Sequence, residues 1–268
     1  MTDIQLAAFD LDGTLINHDL HLSDGVRRAV AAARQRGVRV VIATGRDAHT
    51  ATHFAHELAL DLPVICFQGA LIWDHQRGHT LHADYLPTEM LPEIEAFAEA
   101  ERLPLHFGVG HCAFLTNPYP HAPEFAVLLK RSQVERVAGV AALPDRPSKF
   151  LTSVSSTAER EPLRQRMQAR FGQFMTIVPS HPHVVEGTPL NASKGNALAW
   201  LAGELGIDRQ HVLAVGDNDN DISMLRWAGV GVAMGNGSAA AKAAADWIAP
   251  DQSEDGVAAA IQRYILQN

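Results

Sequence analysis

Short apolar runs alternate with amphipathic helical patterns at both ends of this chain, and most runs stop at a loop rich in Asp, Gly, Thr or Asn. Ile4–Phe9, Val38–Ala43 and Pro63–Phe67 are too short for helices and read as strands covered on both faces. Between the first two, Val26, Ala29, Val30 and Ala33 recur at i, i+3, i+4 and i+7. Ser23 stands ahead of them as a helix cap and Gly37 behind them as a stop. A second helix is expected from about Asp47 to Leu60. The last third repeats the alternation. Ser193 precedes a helix carrying Leu198, Leu201 and Leu205, closed by Gly206. Then come a strand at His211–Val215, a short helix at Asn220–Trp227, a strand at Val230–Ala233, an Ala-rich helix and a strand at Trp247–Ala249. Strands alternating with helices in this way predict an α/β fold with a doubly wound parallel sheet.

The middle of the chain reads differently. Pro87, Pro92, Pro104, Pro118, Pro120, Pro123, Pro144 and Pro147 divide it into short pieces. Helices are expected at Thr88–Arg102 and Thr157–Phe171. Strands are expected at Leu105–Val109, Lys149–Ser155, Met175–Pro179 and His183–Glu186. The expected organisation is therefore a core made of residues 1–82 and 186–268, with an α+β domain of residues 83–185 inserted between its halves.

Charge and composition exclude several classes. The 22 basic residues are outnumbered by 30 acidic ones, a net −8, so a basic nucleic-acid surface is not expected. Two cysteines, Cys66 and Cys112, make neither a disulfide framework nor a Cys-rich zinc site. No secretory signal and no membrane-spanning apolar run is read from the chain, so the expected location is the cytoplasm.

Ligands of open α/β sheets bind beyond the carboxyl ends of the strands. Three loops at such ends carry the chemistry. One holds Asp10, Asp12 and Thr14, a second Thr44, Gly45 and Arg46, and a third Asp217, Asn218, Asp219, Asn220 and Asp221. Lys194 opens a helix leading back to the sheet. Crowded carboxylates need a counter-charge, and oxygen ligands at this density suit Mg²⁺ with positions left for a phosphate oxygen. Lys194, Thr44 and the loop N–H groups could bind the remaining oxygens. The cluster predicts metal-assisted phosphoryl chemistry.

Four segments carry a family likeness: Phe9-Asp-Leu-Asp-Gly-Thr-Leu15, Ile42-Ala-Thr-Gly-Arg46, Ser193-Lys-Gly-Asn-Ala-Leu198 and Gly216-Asp-Asn-Asp-Asn-Asp-Ile-Ser-Met-Leu225. In order and spacing they resemble the haloacid dehalogenase superfamily, and within it the Cof-type phosphatases, which carry a large C2-type cap in a Rossmann-like core. The resemblance implies a Mg²⁺-dependent phosphatase acting on a small phosphorylated metabolite, such as a sugar phosphate. It implies Asp10 as the nucleophile that forms an aspartyl-phosphate and Asp12 as general acid and then base, with Thr44 and Lys194 as further catalytic residues. Phosphate would be held by the Leu11 amide, Thr44, Gly45, Lys194 and Asn220. Mg²⁺ would be held by the Asp10 carboxylate, the Asp12 backbone carbonyl and Asp217, with Asn220 and Asp221 in support. Many relatives have Asn-Gly-Ala where this chain has Gln68-Gly-Ala70, which leaves the role of Gln68 open.

Simpler readings accompany these. Arg46 is expected to be a structural cation and Asp219 a solvated loop charge. The pairs His79/His82 and His181/His183 have no carboxylate to complete a metal site and read as surface or cap-lining residues. The four tryptophans read as core. Two other functions stay open at this level: a phosphosugar mutase of the same architecture, and a non-catalytic protein that binds a phosphorylated metabolite. The substrate and the oligomeric state are not legible.

Overall fold

The computed structural model describes residues 3–120 and 132–267. Pro123 lies outside the described residues. The strands Leu6–Phe9 (β1) and Arg39–Ile42 (β2) follow the first two apolar runs. Val64–Cys66 (β3) follows the third and pairs with Leu71–Asp74 (β4), which in turn pairs with His79–Ala83 (β5), two strands not expected from the sequence. The helices Asp24–Gln35 (α1) and Ala48–Glu57 (α2) separate the first three strands. Ser23 caps α1 by accepting from the Val26 N–H, as its position predicts, and Asp47 caps α2 by accepting from the Thr50 N–H.

In the last third, Val212–Gly216 (β12), Val230–Ala233 (β13) and Trp247–Ile248 (β14) join β1 and β2 in one parallel sheet of order β14-β13-β12-β1-β2. A bridge from Ala43 to Ile65 carries the sheet on towards β3. Side chains of β1 alternate between two cores. Ala7 and Phe9 pack on one face, Leu6 and Ala8 on the other. Val40 and Ile42 against Val41, and Leu213 and Val215 against Val212 and Ala214, divide in the same way. A strand can be apolar throughout only if both faces are covered, and here they are. The fold is a doubly wound α/β core carrying a cap.

The cap sheet has the order β10-β11-β9-β6-β7-β8, built from Leu105–Val109 (β6), Cys112–Leu115 (β7), Val134–Arg136 (β8), Lys149–Ser153 (β9), Met175–His181 (β10) and Val184–Pro189 (β11). Two helices, Leu91–Ala100 (α3) and Thr157–Phe171 (α4), pack on one face around Phe107, Phe150 and Phe171. The range of α4 is the one its sequence predicts. The segment expected to be helical from Thr88 instead begins as a 3₁₀ turn, Thr88–Met90, and the α-helix follows from Leu91 with Pro92 in its first turn, where no intrahelical N–H is needed. Strand β11 crosses the expected domain boundary at 185/186. Its pairing with both β9 and β10 keeps residues to Pro189 in the cap sheet. The turn of hydrophobicity at Glu186 hid this, since a charge inside a buried strand reads as an end. Among the described residues no helix is long and apolar enough to cross a membrane.

The chain passes from β3 to β4 through Phe67, Gln68 and Gly69, all with positive φ. Gly69 lies at φ 97°, and a Cβ there would stand 2.2 Å from the carbonyl oxygen of Ser193. Ser193 caps Lys194–Glu204 (α5), the helix that carries Lys194. Gly78, at φ 69°, has open space around the same position. Gly69→Ala should therefore cost more than Gly78→Ala, whose strain alone is worth about 1 kcal/mol. Paired thermal melts check this. Equal melting temperatures for the two variants would show that the Gly69–Ser193 approach is not tight.

Candidate active site

Three adjacent strands, β12, β1 and β2, end at the same edge of the sheet. Their loops bring Asp217, Asp10 and Thr44 together, as their positions predict. Lys194, at the first turn of α5, is fully buried beneath them. Its Nζ donates to Asp10 Oδ1 at 2.5 Å and to Asp221 Oδ1 at 2.5 Å. The other oxygen of Asp221 accepts from the backbone N–H groups of Asp217 and Asn218, each at 2.9 Å. Asp221 is thereby committed to Lys194 and to its own loop. Thr14 Oγ1 donates to Asp217 Oδ1 at 3.3 Å.

One carboxylate oxygen each from Asp10, Asp217 and Asp221 lies within 4.8 Å of the others. A single ammonium faces these three carboxylates. Burial, with Asp221 and Asp217 adding to it, pushes Asp10 well above the ordinary carboxylate range, although Lys194 pulls the other way. Burial and the Asp221 charge likewise push Asp217 up to about 6. Burial works against the Lys194 ammonium, but Asp10 and Asp221 outweigh it and hold it above an ordinary lysine. The cluster has more negative charge than its own cation offsets, and its ligand atoms are hard oxygens. A divalent cation such as Mg²⁺ fits that donor set. Among the described residues this is the one His/Cys/Asp/Glu group gathered closely enough to hold an ion. The His79/His82 and His181/His183 pairs do not form such a group. His82 stacks on Trp200 instead, with ring centroids 5.0 Å apart, and His181 lines the cavity described below.

Asp12 stands at the cavity edge, and Arg46 grips both its oxygens, Nε to Oδ2 at 2.7 Å and Nη2 to Oδ1 at 2.5 Å. The sequence marked Arg46 as a structural cation; its partner turns out to be the second aspartate of the first loop. Thr44 is buried, and its Oγ1 accepts from the Arg46 N–H at 3.1 Å, which leaves the hydroxyl proton able to donate elsewhere. Leu11 is buried at the turn between the two aspartates, and Gly45 lines the cavity. Asn220 donates through Nδ2 to Gln68 Oε1 at 2.8 Å.

The cavity measures about 330 Å³. Asp10, Asp12 and Asp217 form its floor. Its roof is the cap-sheet face turned away from α3 and α4, with His106, Lys149, Leu151 and Glu186. Sequence reading missed the roof. Lys149 Nζ donates to Glu186 Oε1 at 2.6 Å and to the Gly45 carbonyl at 2.8 Å. The available signal was one charge of each sign close to short apolar runs, Lys149 before Phe150-Leu151 in β9 and Glu186 after Val184-Val185 in β11.

Residues 7–261 match the family model of haloacid dehalogenase-like hydrolases. The chain is 32% identical over 268 residues to the 5-amino-6-(5-phospho-D-ribitylamino)uracil phosphatase of Bacillus subtilis, covering 98% of this chain and 97% of that one. It is 31% identical over 278 residues to the pyridoxal phosphate phosphatase of Escherichia coli, covering 98% and 99%. A haloacid dehalogenase-like hydrolase from Bacteroides thetaiotaomicron superposes with a TM-score of 0.87 at 27% identity, over 97% of this chain and 99% of that one. The match spans both halves of the core and the cap between them, and the chain belongs to the haloacid dehalogenase-like hydrolases.

Proposed function

We propose that this hydrolase is a cytoplasmic, Mg²⁺-dependent phosphatase that cleaves a small phosphomonoester through an aspartyl-phosphate on Asp10. The observation that carries the reading is the buried Lys194 between Asp10 and Asp221, with Asp217 beside them, under a roofed cavity. A phosphate dianion entering such a site needs cations, and a buried ammonium plus a bound divalent ion supply them. Asp10, Asp217 and the Asp12 carbonyl would hold the Mg²⁺, with Asn220 and Asp221 in support. When bound, the ion neutralises charge on the transferring phosphoryl group. A cavity of about 330 Å³ suits a phosphate joined to one sugar or one heterocycle. The two similar phosphatases named above are named for substrates of that kind.

Asp10 attacks phosphorus while Lys194, Thr44, the Gly45 and Leu11 amides and Asn220 hold the phosphoryl oxygens. Asp12 protonates the departing oxygen, then takes a proton from the water that opens the aspartyl-phosphate. Each Asp12 oxygen accepts one N–H from Arg46 in this structure, so the proton Asp12 gives or takes uses a lone pair that the guanidinium leaves open.

Chelation should abolish hydrolysis and Mg²⁺ should restore it; full activity after exhaustive chelation would sink the metal assignment. The pH dependence has a definite sign. Asp217 rises from an ordinary 3.8 to about 6 in the ion-free protein, so between these values the folded chain holds more protons than the unfolded one. Its contribution to ion-free stability is present at low pH and is lost as pH rises through about 6. A cation competes with that proton, so Mg²⁺ should bind more tightly at pH 7 than at pH 5. Titration of the Mg²⁺-induced shift in melting temperature at the two pH values checks this. A shift that is the same at both would remove Asp217 from the ion's ligands.

Asp12→Asn should slow phosphoryl transfer from an alkyl phosphate by about 10²–10⁴-fold, the usual worth of a positioned acid. Nitrophenyl phosphate, whose leaving group needs little help, should keep much of its first step and give a burst of about one phenol per site followed by slow turnover. Rapid-quench kinetics distinguishes the outcomes. Equal loss of the first step for both substrates, without a burst, would show that Asp12 is not the acid.

A further inference from the structure

Roof and floor of the cavity are joined by a chain of buried polar groups. Lys149 donates to Glu186 Oε1, Gln68 Nε2 donates to Glu186 Oε2 at 3.4 Å, and Asn220 Nδ2 donates to Gln68 Oε1. Lys149, Glu186 and Gln68 are each no more than 7% exposed. The polarity of this chain follows from chemistry. An ammonium only donates and a carboxylate only accepts, so Glu186 must receive from both sides. Gln68 therefore turns its NH₂ to Glu186 and its oxygen to Asn220, and Asn220 must answer with its NH₂.

The backbone is strained to place Gln68 there. Phe67 and Gln68 have φ of 51° and 59°, a left-handed pair that costs of order 1–3 kcal/mol per residue for non-glycine side chains. Their N–H groups are held by the carbonyls of Arg46 and Thr44, both in the second active-site loop. Gly45 gives the room: a Cβ on it would lie 2.3 Å from Gln68 Nε2.

We propose that Gln68 is a positioning residue, which passes the polarity of the cap's Lys149–Glu186 pair to the side-chain amide of Asn220, so that Asn220 presents an N–H to the phosphate. This rests on the proposed phosphate contact of Asn220. An NH₂ group has two hydrogens; one is spent on Gln68 and the other is turned to the ligand. Lys149 and Glu186 belong to the cap while Gln68 and Asn220 belong to the core, so the donor is set only with the cap seated.

The chain can be reversed by one substitution and restored, with its net charge, by a second. In Glu186→Gln, the new amide accepts from Lys149 with its oxygen and donates to Gln68. Gln68 must then flip, and Asn220 must turn its oxygen where its NH₂ stood. In Gln68→Glu two carboxylates face each other. In the double variant Gln68→Glu/Glu186→Gln, residue 186 donates to the new carboxylate, which again accepts from Asn220. The experiment uses the full chain with Mg²⁺, nitrophenyl phosphate as substrate and inorganic phosphate as inhibitor, alongside melting temperatures. Glu186→Gln should raise KM and the phosphate inhibition constant together by about tenfold or more, the worth of a hydrogen bond to a charged group, with kcat and the Mg²⁺ requirement moving much less. The double variant should recover most of that loss. Should Gln68→Glu fail to fold, Glu186→Gln and the double variant still decide. Unchanged constants in Glu186→Gln, or a double variant no better than Glu186→Gln, would overturn the relay while wild-type turnover leaves the phosphatase reading standing. Absence of both hydrolysis and phosphate binding in the wild type would overturn that reading, and the relay with it.

Discussion

The buried ammonium of Lys194 is the interaction on which the rest of the site depends. It joins Asp10 and Asp221, which stand 184 and 27 residues away in the chain. Breaking a buried pair leaves an uncompensated charge and costs about 3–5 kcal/mol, so the two halves of the core are held in register by the group that, in the proposed function, also meets the phosphate. The surrounding geometry serves that placement. Ser193 caps α5 and sets its first turn. Gly69 lets the β3–β4 turn pass against the Ser193 carbonyl. Asp221 closes its own loop with its second oxygen.

One ammonium does not neutralise three carboxylates, and this deficit suits the site to a divalent cation. The elevated Asp10 and Asp217 record the cost of leaving it uncorrected. A divalent ion bound there would relieve it, and under the proposed function would let a phosphoryl group approach where the protein alone would repel it. The cap closes the other side. Lys149 reaches the Gly45 carbonyl of the loop after β2, and its ammonium also lies 5.7 Å from the centre of the Phe67 ring. The roof is thus tied directly to the loops that carry the chemistry.

Much of this was legible in the sequence for a physical reason. Strands buried on both faces must be apolar throughout, so β1, β2 and β12 stand out as short unbroken runs. Loops at their ends must supply hard oxygen ligands, so Asp10, Asp12, Thr44 and Asp217 stand out against them. Helix α4 spans the range expected of it, with Ser156 accepting from the Ala158 N–H at its start and Leu163, Met167 and Phe171 facing the core. The cap strands were less so. Cys112–Leu115 and Val134–Arg136 are short, and Glu186 interrupts the apolar run that would have marked β11 to its end.

The sequence by itself determined the element types of the parallel sheet and its flanking helices, the order of the loops at its carboxyl edge and the chemical identity of the groups they present. These depend on local patterning: periodicity, capping and which side chains end each strand. Only the tertiary structure decided which of those groups meet. Arg46 on Asp12, Gln68 between Glu186 and Asn220, and Lys149 over Gly45 are contacts between segments distant in the chain. A side chain's charge and length can be read from its letter, but its partner is chosen by the packing of the cap sheet over the core, and that packing has no local signature.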